Sequence, residues 1–380
     1  MSRCERKRDA EYNIGNSIDG VLLRSSAAIP GAPECLSFLQ KERIPFILLT
    51  NGGGKHESDR VAELSEKFSV PLDTSMFVQS HTPFSELVHS VDGKPGLKNK
   101  CIMVVGGDYG ECRDVAERYG FRNVITPGDI FASYPEIWPF SRVYAKYYKS
   151  FARPLPRPIN KDDPGNSLKI DAIFVFNDPR DWALDIQILL DALLSREGIM
   201  GTHSEKNNDR SLPNNGYQQD GQPSLYFSNP DLLWAAGYHL SRLAQGGFRE
   251  ALEGVWAAMT GGPREGVYLQ KILIGKPFKE TYEFAEKRLM HCRQHLFAKG
   301  PGLQVPLKRV YMVGDNPESD IRGANTYQSQ HGTEWISLLT RTGVYKDRAG
   351  NVPSWQPREI VDDVSAAVKW ALQDSKWPES

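Results

Sequence analysis

The sequence predicts an α/β protein, a mostly parallel sheet covered by helices, and three observations carry that reading. Short apolar runs alternate with amphipathic stretches at helical spacing along most of the chain. Several of these runs stop abruptly at Gly, Asp, Thr or Lys, as buried strands do where they open onto a site. At 380 residues, the chain is also long enough for two domains with separate cores.

In order, the expected strands are Phe46–Thr50, Met76–Gln79, Ile102–Gly106, Ala172–Phe176, Ile272–Gly275, Val310–Gly314 and Trp335–Leu339. Amphipathic spacing predicts helices over Glu57–Phe68, Cys112–Tyr119, Trp182–Leu194, Phe248–Met259 and Lys279–Leu296, with Val364–Leu372 closing the chain. Phe151–Ser167 (rich in Pro and charge) and Gly201–Ser224 (rich in Asn, Asp, Gly and Gln) read as surface loops. Gly106-Gly107-Asp108-Tyr109-Gly110 is a turn before a helix, and no dinucleotide fingerprint follows an early strand. Trp234, Tyr238 and Trp256, at helical spacing, read as core. His81, ahead of a helix, reads as its cap. His291, Cys292 and His295 read as a solvated or partly packed helix face.

Composition narrows the class of function. A formal net charge of −1, with 24% charged residues, gives no reason to expect a nucleic acid or an anionic membrane as partner. No apolar run approaches the ~20 residues of a membrane span. The five cysteines are scattered, without a CxxC pair or a zinc spacing, which fits a reducing, intracellular compartment. Met1–Ala10 mixes Arg and Lys with Glu5 and Asp9, so it resembles neither a signal peptide nor a typical mitochondrial presequence.

Four segments place reactive residue types just past strands: Ile18–Leu23, Leu48–Gly54, Ile272–Pro277 and Val310–Asp320. Ligands of open α/β sheets bind beyond the carboxyl ends of strands, so the four can converge on one site. Asp315 and Asp320 offer hard oxygen donors suited to Mg²⁺. Thr50 offers a hydroxyl, and the Asn51-Gly52-Gly53-Gly54 turn offers backbone N–H groups, to a phosphate. Lys276 would stabilise charge developing on that phosphate. Asp19 is placed for proton transfer to a leaving oxygen. Singly, each segment is equally a turn, a strand exit or a helix cap; order and spacing together carry the chemistry.

In that order the motifs IDGVLL, LLTNGGG, GKP and GDNPESDIRGAN resemble the four motifs of the haloacid dehalogenase (HAD) superfamily of aspartate-nucleophile phosphatases. The resemblance runs from Asp19 nearly to the end of the chain. It implies a Rossmann-like HAD core with a parallel sheet plus a large inserted α/β cap domain of the C2 type, placed as in subfamily IIA. The core would be residues 1–96 and 265–380, and the cap residues 97–264. QSHTPFSEL, SNPDLLWAAGY, GKPFKETYEFAE and RTGVY are similar to the eukaryotic cat eye syndrome critical region branch. By this resemblance Thr50 binds the transferring phosphoryl group and Lys276 bridges it to the nucleophile. Asp315 ligates Mg²⁺ with Asp320 in support, and Asp19 is general acid and base and gives its carbonyl to the metal. Asn51 and Gly52, with Asn229 and Asp231 of the cap, contact a small phosphorylated substrate. The resemblance also implies a homodimer through the cap and a mitochondrial setting, the cytoplasm being the alternative.

One position departs from the motif. The aspartate nucleophile and metal ligand belongs two residues before Asp19, where this chain has Ser17. A serine would need deprotonating and removes an anionic ligand, so the chain as written is expected to be inactive. A non-catalytic phosphate-binding protein is the alternative reading. The approach Glu11-Tyr12-Asn13-Ile14-Gly15-Asn16 is polar where an apolar central strand belongs, and predicts a poor strand. Both defects end at Ile18, which implies that about the first 17 residues are foreign to the functional protein, as a misplaced exon boundary would make them.

Overall fold

The computed structural model describes residues 13–90, 93, 95–234, 238, 240–297, 307–347 and 350–377. Its strands are β1 (Ile14–Asn16), β2 (Leu23–Arg24), β3 (Ala27–Ala28), β4 (Phe46–Leu49), β5 (Phe77–Val78), β6 (Cys101–Val105), β7 (Asn123–Ile125) and β8 (Ala172–Val175). They continue as β9 (Ser224–Phe227), β10 (Leu233–Trp234), β11 (Arg242–Leu243), β12 (Ile272–Leu273), β13 (Arg309–Gly314), β14 (Glu334–Thr340) and β15 (Glu359–Val361).

Two parallel sheets organise eleven of these strands, in the orders β15-β14-β13-β1-β4-β5 and β12-β9-β8-β6-β7, while β2–β3 and β10–β11 form antiparallel pairs. Strands β4, β6 and β8 are apolar along their length because each sheet is covered on both faces. In the first, Phe46, Leu48, Tyr311 and Val313 pack with the helices Ala32–Lys41, Glu57–Phe68 and Val364–Asp374. Their neighbours Ile47, Leu49, Val310 and Met312 pack with the helix Lys279–Phe297 on the other face. In the second sheet, Met103, Val105, Ile173 and Val175 meet the helices Trp182–Leu194 and Gln245–Thr260. Ile102, Val104 and Phe174 meet the helix Glu111–Tyr119, together with Phe84 and Val88. The α/β architecture with parallel sheets is that expected.

Three local expectations are corrected. Glu11 and Tyr12 of the polar approach lie outside the described residues, but Ile14–Asn16 does form a strand: β1 is central, paired on one side with β13 and on the other with β4. Two ladders of backbone hydrogen bonds outweigh its poor intrinsic preference. The segment Ile272–Leu273, within the range 265–380 expected for the core, pairs with β9 at the edge of the second sheet. Val267 and Leu269 also lie in the second sheet's core, so that unit reaches beyond the expected boundary at 264. Trp234 and Tyr238 do not lie on a helix or in the core. Trp234 lies on the antiparallel hairpin β10–β11, and both side chains are about half exposed, whereas Trp256 is buried. Helical spacing misled because it reports burial only where a helix forms.

Strand β1 carries a cost at Asn16. Its side chain is fully buried on the face occupied by Ile14, Leu48 and Val313, and among the described residues neither its Oδ1 nor its Nδ2 has a hydrogen-bond partner. An unpaired buried amide costs roughly 1–3 kcal/mol. Asn16→Val is therefore expected to stabilise the protein by about 1–3 kcal/mol, read as a higher urea midpoint at unchanged slope. A lowered midpoint would show that the amide is satisfied in solution.

Candidate active site

The carboxyl ends of β1, β4 and β13 meet the second unit across a cavity of about 620 Å³. Ser17, Asp19, Thr50, Asn51, Gly52, Asn229, Asp231, Lys276, Asp315 and Asp320, ten positions scattered through the sequence, all line it.

Lys276 sits at its centre. The ammonium donates to the Ser17 hydroxyl (3.0 Å) and the Leu49 carbonyl (2.9 Å), and lies 2.7 Å from Asp320 Oδ1. Lys276 and Asp320 are both almost completely buried. The backbone of Lys276 is held by Asn51: Asn51 Oδ1 accepts from the Lys276 N–H (2.7 Å), and Asn51 Nδ2 donates to the Lys276 carbonyl (2.9 Å). The same Nδ2 donates to Asp231 Oδ2 (3.1 Å), which joins the glycine turn to the second unit. Asn229 Oδ1 accepts from the Asp231 N–H (2.8 Å), while Gln245 holds Asn229 and Ser228.

Thr50 donates its hydroxyl to Asp19 Oδ2 (3.2 Å) and accepts from the Gly52 N–H (2.9 Å). Asp320 Oδ2 accepts from the backbone N–H groups of Asp315 and Asn316, both at 3.1 Å. Asp315 Oδ2 accepts from the Val344 N–H (2.7 Å). The Asp315 carboxylate is gripped between two glycines: a Cβ on Gly20 or on Gly343 would come within 2.1 Å or 1.9 Å of its Oδ2. Burial, and then the charge of Asp320, push the Asp315 carboxyl well above the usual carboxylate range. A divalent ion beside the Asp315 carboxyl would reverse the effect.

The donors present, two carboxylates and the Asp19 backbone, are hard oxygens of the kind Mg²⁺ takes. They fit the ion's chemistry with one anion fewer than the motif supplies, because Ser17 offers a hydroxyl already engaged by Lys276. Among the described residues no group of three or more His, Cys, Asp or Glu side chains is placed to hold a metal ion by itself.

Several cavity residues were not anticipated. Asn177 and Asp178 follow β8, and Thr342 and Gly343 follow β14. Their signal was the one used elsewhere, polar residues just past an apolar strand. Leu233, Trp234, Tyr238 and Leu240 line the cavity from the hairpin region, where helical spacing at Trp234 and Tyr238 pointed to core instead.

A profile described as haloacid dehalogenase-like hydrolase matches residues 16–122, and one described as HAD-hydrolase-like matches residues 273–367. The chain is 38% identical over 370 residues to the mitochondrial hydrolase YKR070W of Saccharomyces cerevisiae, with 94% of each chain covered. It belongs to the haloacid dehalogenase-like hydrolases. This HAD chain is also 38% identical over 358 residues to a cardiolipin synthase (CMP-forming)/mitochondrial hydrolase fusion protein of Schizosaccharomyces pombe. That match covers 94% of the chain and 52% of the relative, so the chain spans about half of that relative's length. Among solved structures, a p-nitrophenyl phosphatase from Archaeoglobus fulgidus superposes with a TM-score of 0.55 at 14% identity, covering 95% of this chain and 99% of that one. The glycerol phosphate phosphatase Rv1692 of Mycobacterium tuberculosis, in complex with calcium, gives 0.53 at 17% identity, covering 95% and 76%. At such identities the likeness is one of fold.

Desolvation at the seam of this HAD fold raises the Asp231 carboxyl to about 6, against the opposing hydrogen bond from Asn51 and the charge of Lys276. A carboxyl whose folded pKa is raised binds its proton more tightly in the native state, so stability falls as pH rises from about 4 to about 6. Asp231→Asn is expected to remove that slope and to stabilise the protein at pH 7 by about 2 kcal/mol. Thermal melts across pH 4–8 check this, and an unchanged slope would place its origin elsewhere.

Proposed function

We propose that this HAD chain binds a small phosphorylated metabolite in a phosphohydrolase site of the subfamily IIA kind, and that Ser17 leaves it with little hydrolytic turnover. The observation that carries this is the contact between Ser17 Oγ and Lys276 Nζ at 3.0 Å, at the strand end where the motif puts its nucleophile. A carboxylate there would be an anion ready to attack. A hydroxyl needs a base, and an ammonium ion donates a proton without accepting one.

Thr50 and the turn that follows would bind the phosphoryl oxygens, with Lys276 neutralising their charge. Asp19, held by Thr50, would exchange a proton with the leaving oxygen. Asn229 and Asp231 would contact the remainder of the ligand from the cap. Asp315, with Asp320 in support and the Asp19 carbonyl, would hold Mg²⁺. When bound, that ion would stabilise negative charge on the phosphate. The names of both curated relatives support a mitochondrial setting, and the fusion with a cardiolipin synthase supports phosphorylated intermediates of phospholipid metabolism as the first class to screen.

Restoring the carboxylate tests the reading. Ser17→Asp is expected to hydrolyse p-nitrophenyl phosphate in a Mg²⁺-dependent manner, on the order of 10³-fold or more above the parent chain. Adding Asp19→Asn should remove most of that gain. A folded Ser17→Asp protein that binds phosphate and stays inactive would favour a purely binding role, the reading that Ser17 itself supports. Failure of both proteins to bind phosphate would exclude either role.

A further inference from the structure

Behind the glycine turn lies a buried histidine that the mechanism above does not use. His81 is completely buried, and its side chain does not cap the short helix Thr82–Val88 that it precedes, contrary to expectation. It reaches back, and its Nε2 lies 3.1 Å from the Gly54 backbone nitrogen. A backbone N–H can only donate, so Nε2 must carry a lone pair and the ring proton must be on Nδ1. Nδ1 then donates to the Tyr119 hydroxyl (2.8 Å), and that hydroxyl donates to Glu57 Oε1. Thr82 donates to the same carboxylate oxygen (2.6 Å). Every proton in the chain has one direction.

The turn itself is fitted closely to this arrangement. A Cβ on Gly53 would come within 2.7 Å of His81 Cδ2, so only glycine lets the ring approach. Gly54 has φ +101°, and a Cβ there would come within 2.2 Å of Asn177 Nδ2 on the cap side. The turn is thus held between His81 and Asn177, and Tyr119 belongs to the cap helix Glu111–Tyr119. The titratable groups facing the ring are Glu57, Tyr119 and His56. Burial pushes the imidazole down to about 4, so the neutral form that this pattern requires is present at neutral pH.

We infer that His81 is a positioning residue for phosphate binding: by accepting the Gly54 N–H it sets the orientation of the Asn51–Gly54 turn, and Tyr119 and Glu57 hold the tautomer that allows it. This rests on the proposed placement of phosphate at that turn. It also joins the cap to the turn through one proton-ordered chain, so a change in the cap helix is felt where phosphate binds.

The test titrates inorganic phosphate into the full-length chain by calorimetry, for the parent and for His81→Gln, His81→Leu and Tyr119→Phe. Gln can place an amide oxygen near the Nε2 position, whereas Leu accepts nothing. His81→Leu is expected to weaken binding about tenfold or more, as loss of a buried hydrogen bond does. His81→Gln should recover most of that loss, even if it melts earlier than the parent. Tyr119→Phe should fall between them. A long-range ¹H–¹⁵N spectrum of the parent should show a protonated Nδ1 and a bare Nε2, which keeps the inference open to refutation if a variant does not fold. A proton on Nε2 would overturn it. So would folded Leu and Gln variants that bind as the parent does, or that weaken equally and in step with their stability. A parent that binds no phosphate would overturn the functional reading, and this inference with it.

Discussion

The site depends on one buried cation. Lys276 reaches the end of β1 at Ser17, the end of β4 at the Leu49 carbonyl and, through Asp320, the loop after β13. Parallel strands that end side by side present their last carbonyls and first loop residues to a common space, and a buried ammonium is stable there only among oxygens. Removing it would leave Asp320 buried beside Asp315 with two backbone donors and no counter-charge. The lysine therefore holds the strand ends together, and on the proposed reading would bind the phosphate as well.

Against that arrangement Ser17 has a double effect. It keeps a hydrogen bond to Lys276, so the local architecture closes normally. It also takes one negative charge out of a place where Lys276 and a divalent ion would share it. On the proposed reading the site would keep what is needed to attract a phosphate and lack the group that would attack one. Asn16, one residue earlier, tells a related story at the level of packing: the strand forms because both neighbours pair with it, although its side chain leaves two polar atoms unpaired in an apolar layer.

The two units are joined by polar contacts close to the chemistry. Asn51 serves the Lys276 backbone on one side and Asp231 on the other, and Tyr119 meets Glu57 and His81 behind the glycine turn. These bonds are short-range and directional, so they carry information about how the cap sits without needing a large apolar interface. They also place Asp231 where its charge is poorly solvated, which is why its carboxyl titrates high.

Much of this was legible in the sequence. The helices Glu57–Phe68 and Trp182–Leu194 were readable to the residue, the first because it buries one apolar face and the second because it is apolar on most sides and bounded by the cap Asp181. Polar residues at the ends of apolar runs pointed to Thr50, Lys276, Asp315 and Asp320, since such residues are costly in a buried strand and are accommodated most readily where it opens onto a cavity. What the sequence could not determine was decided by partners distant in the chain. β1 exists because β4 and β13 flank it, and β12 joins the second sheet because β9 offers an edge. His81 found an acceptor role in place of a cap because Gly54 and Tyr119 converge on it. Periodicity records which face of an element is buried. The choice among hydrogen-bond partners depends on distances across the fold, and only the tertiary structure sets those.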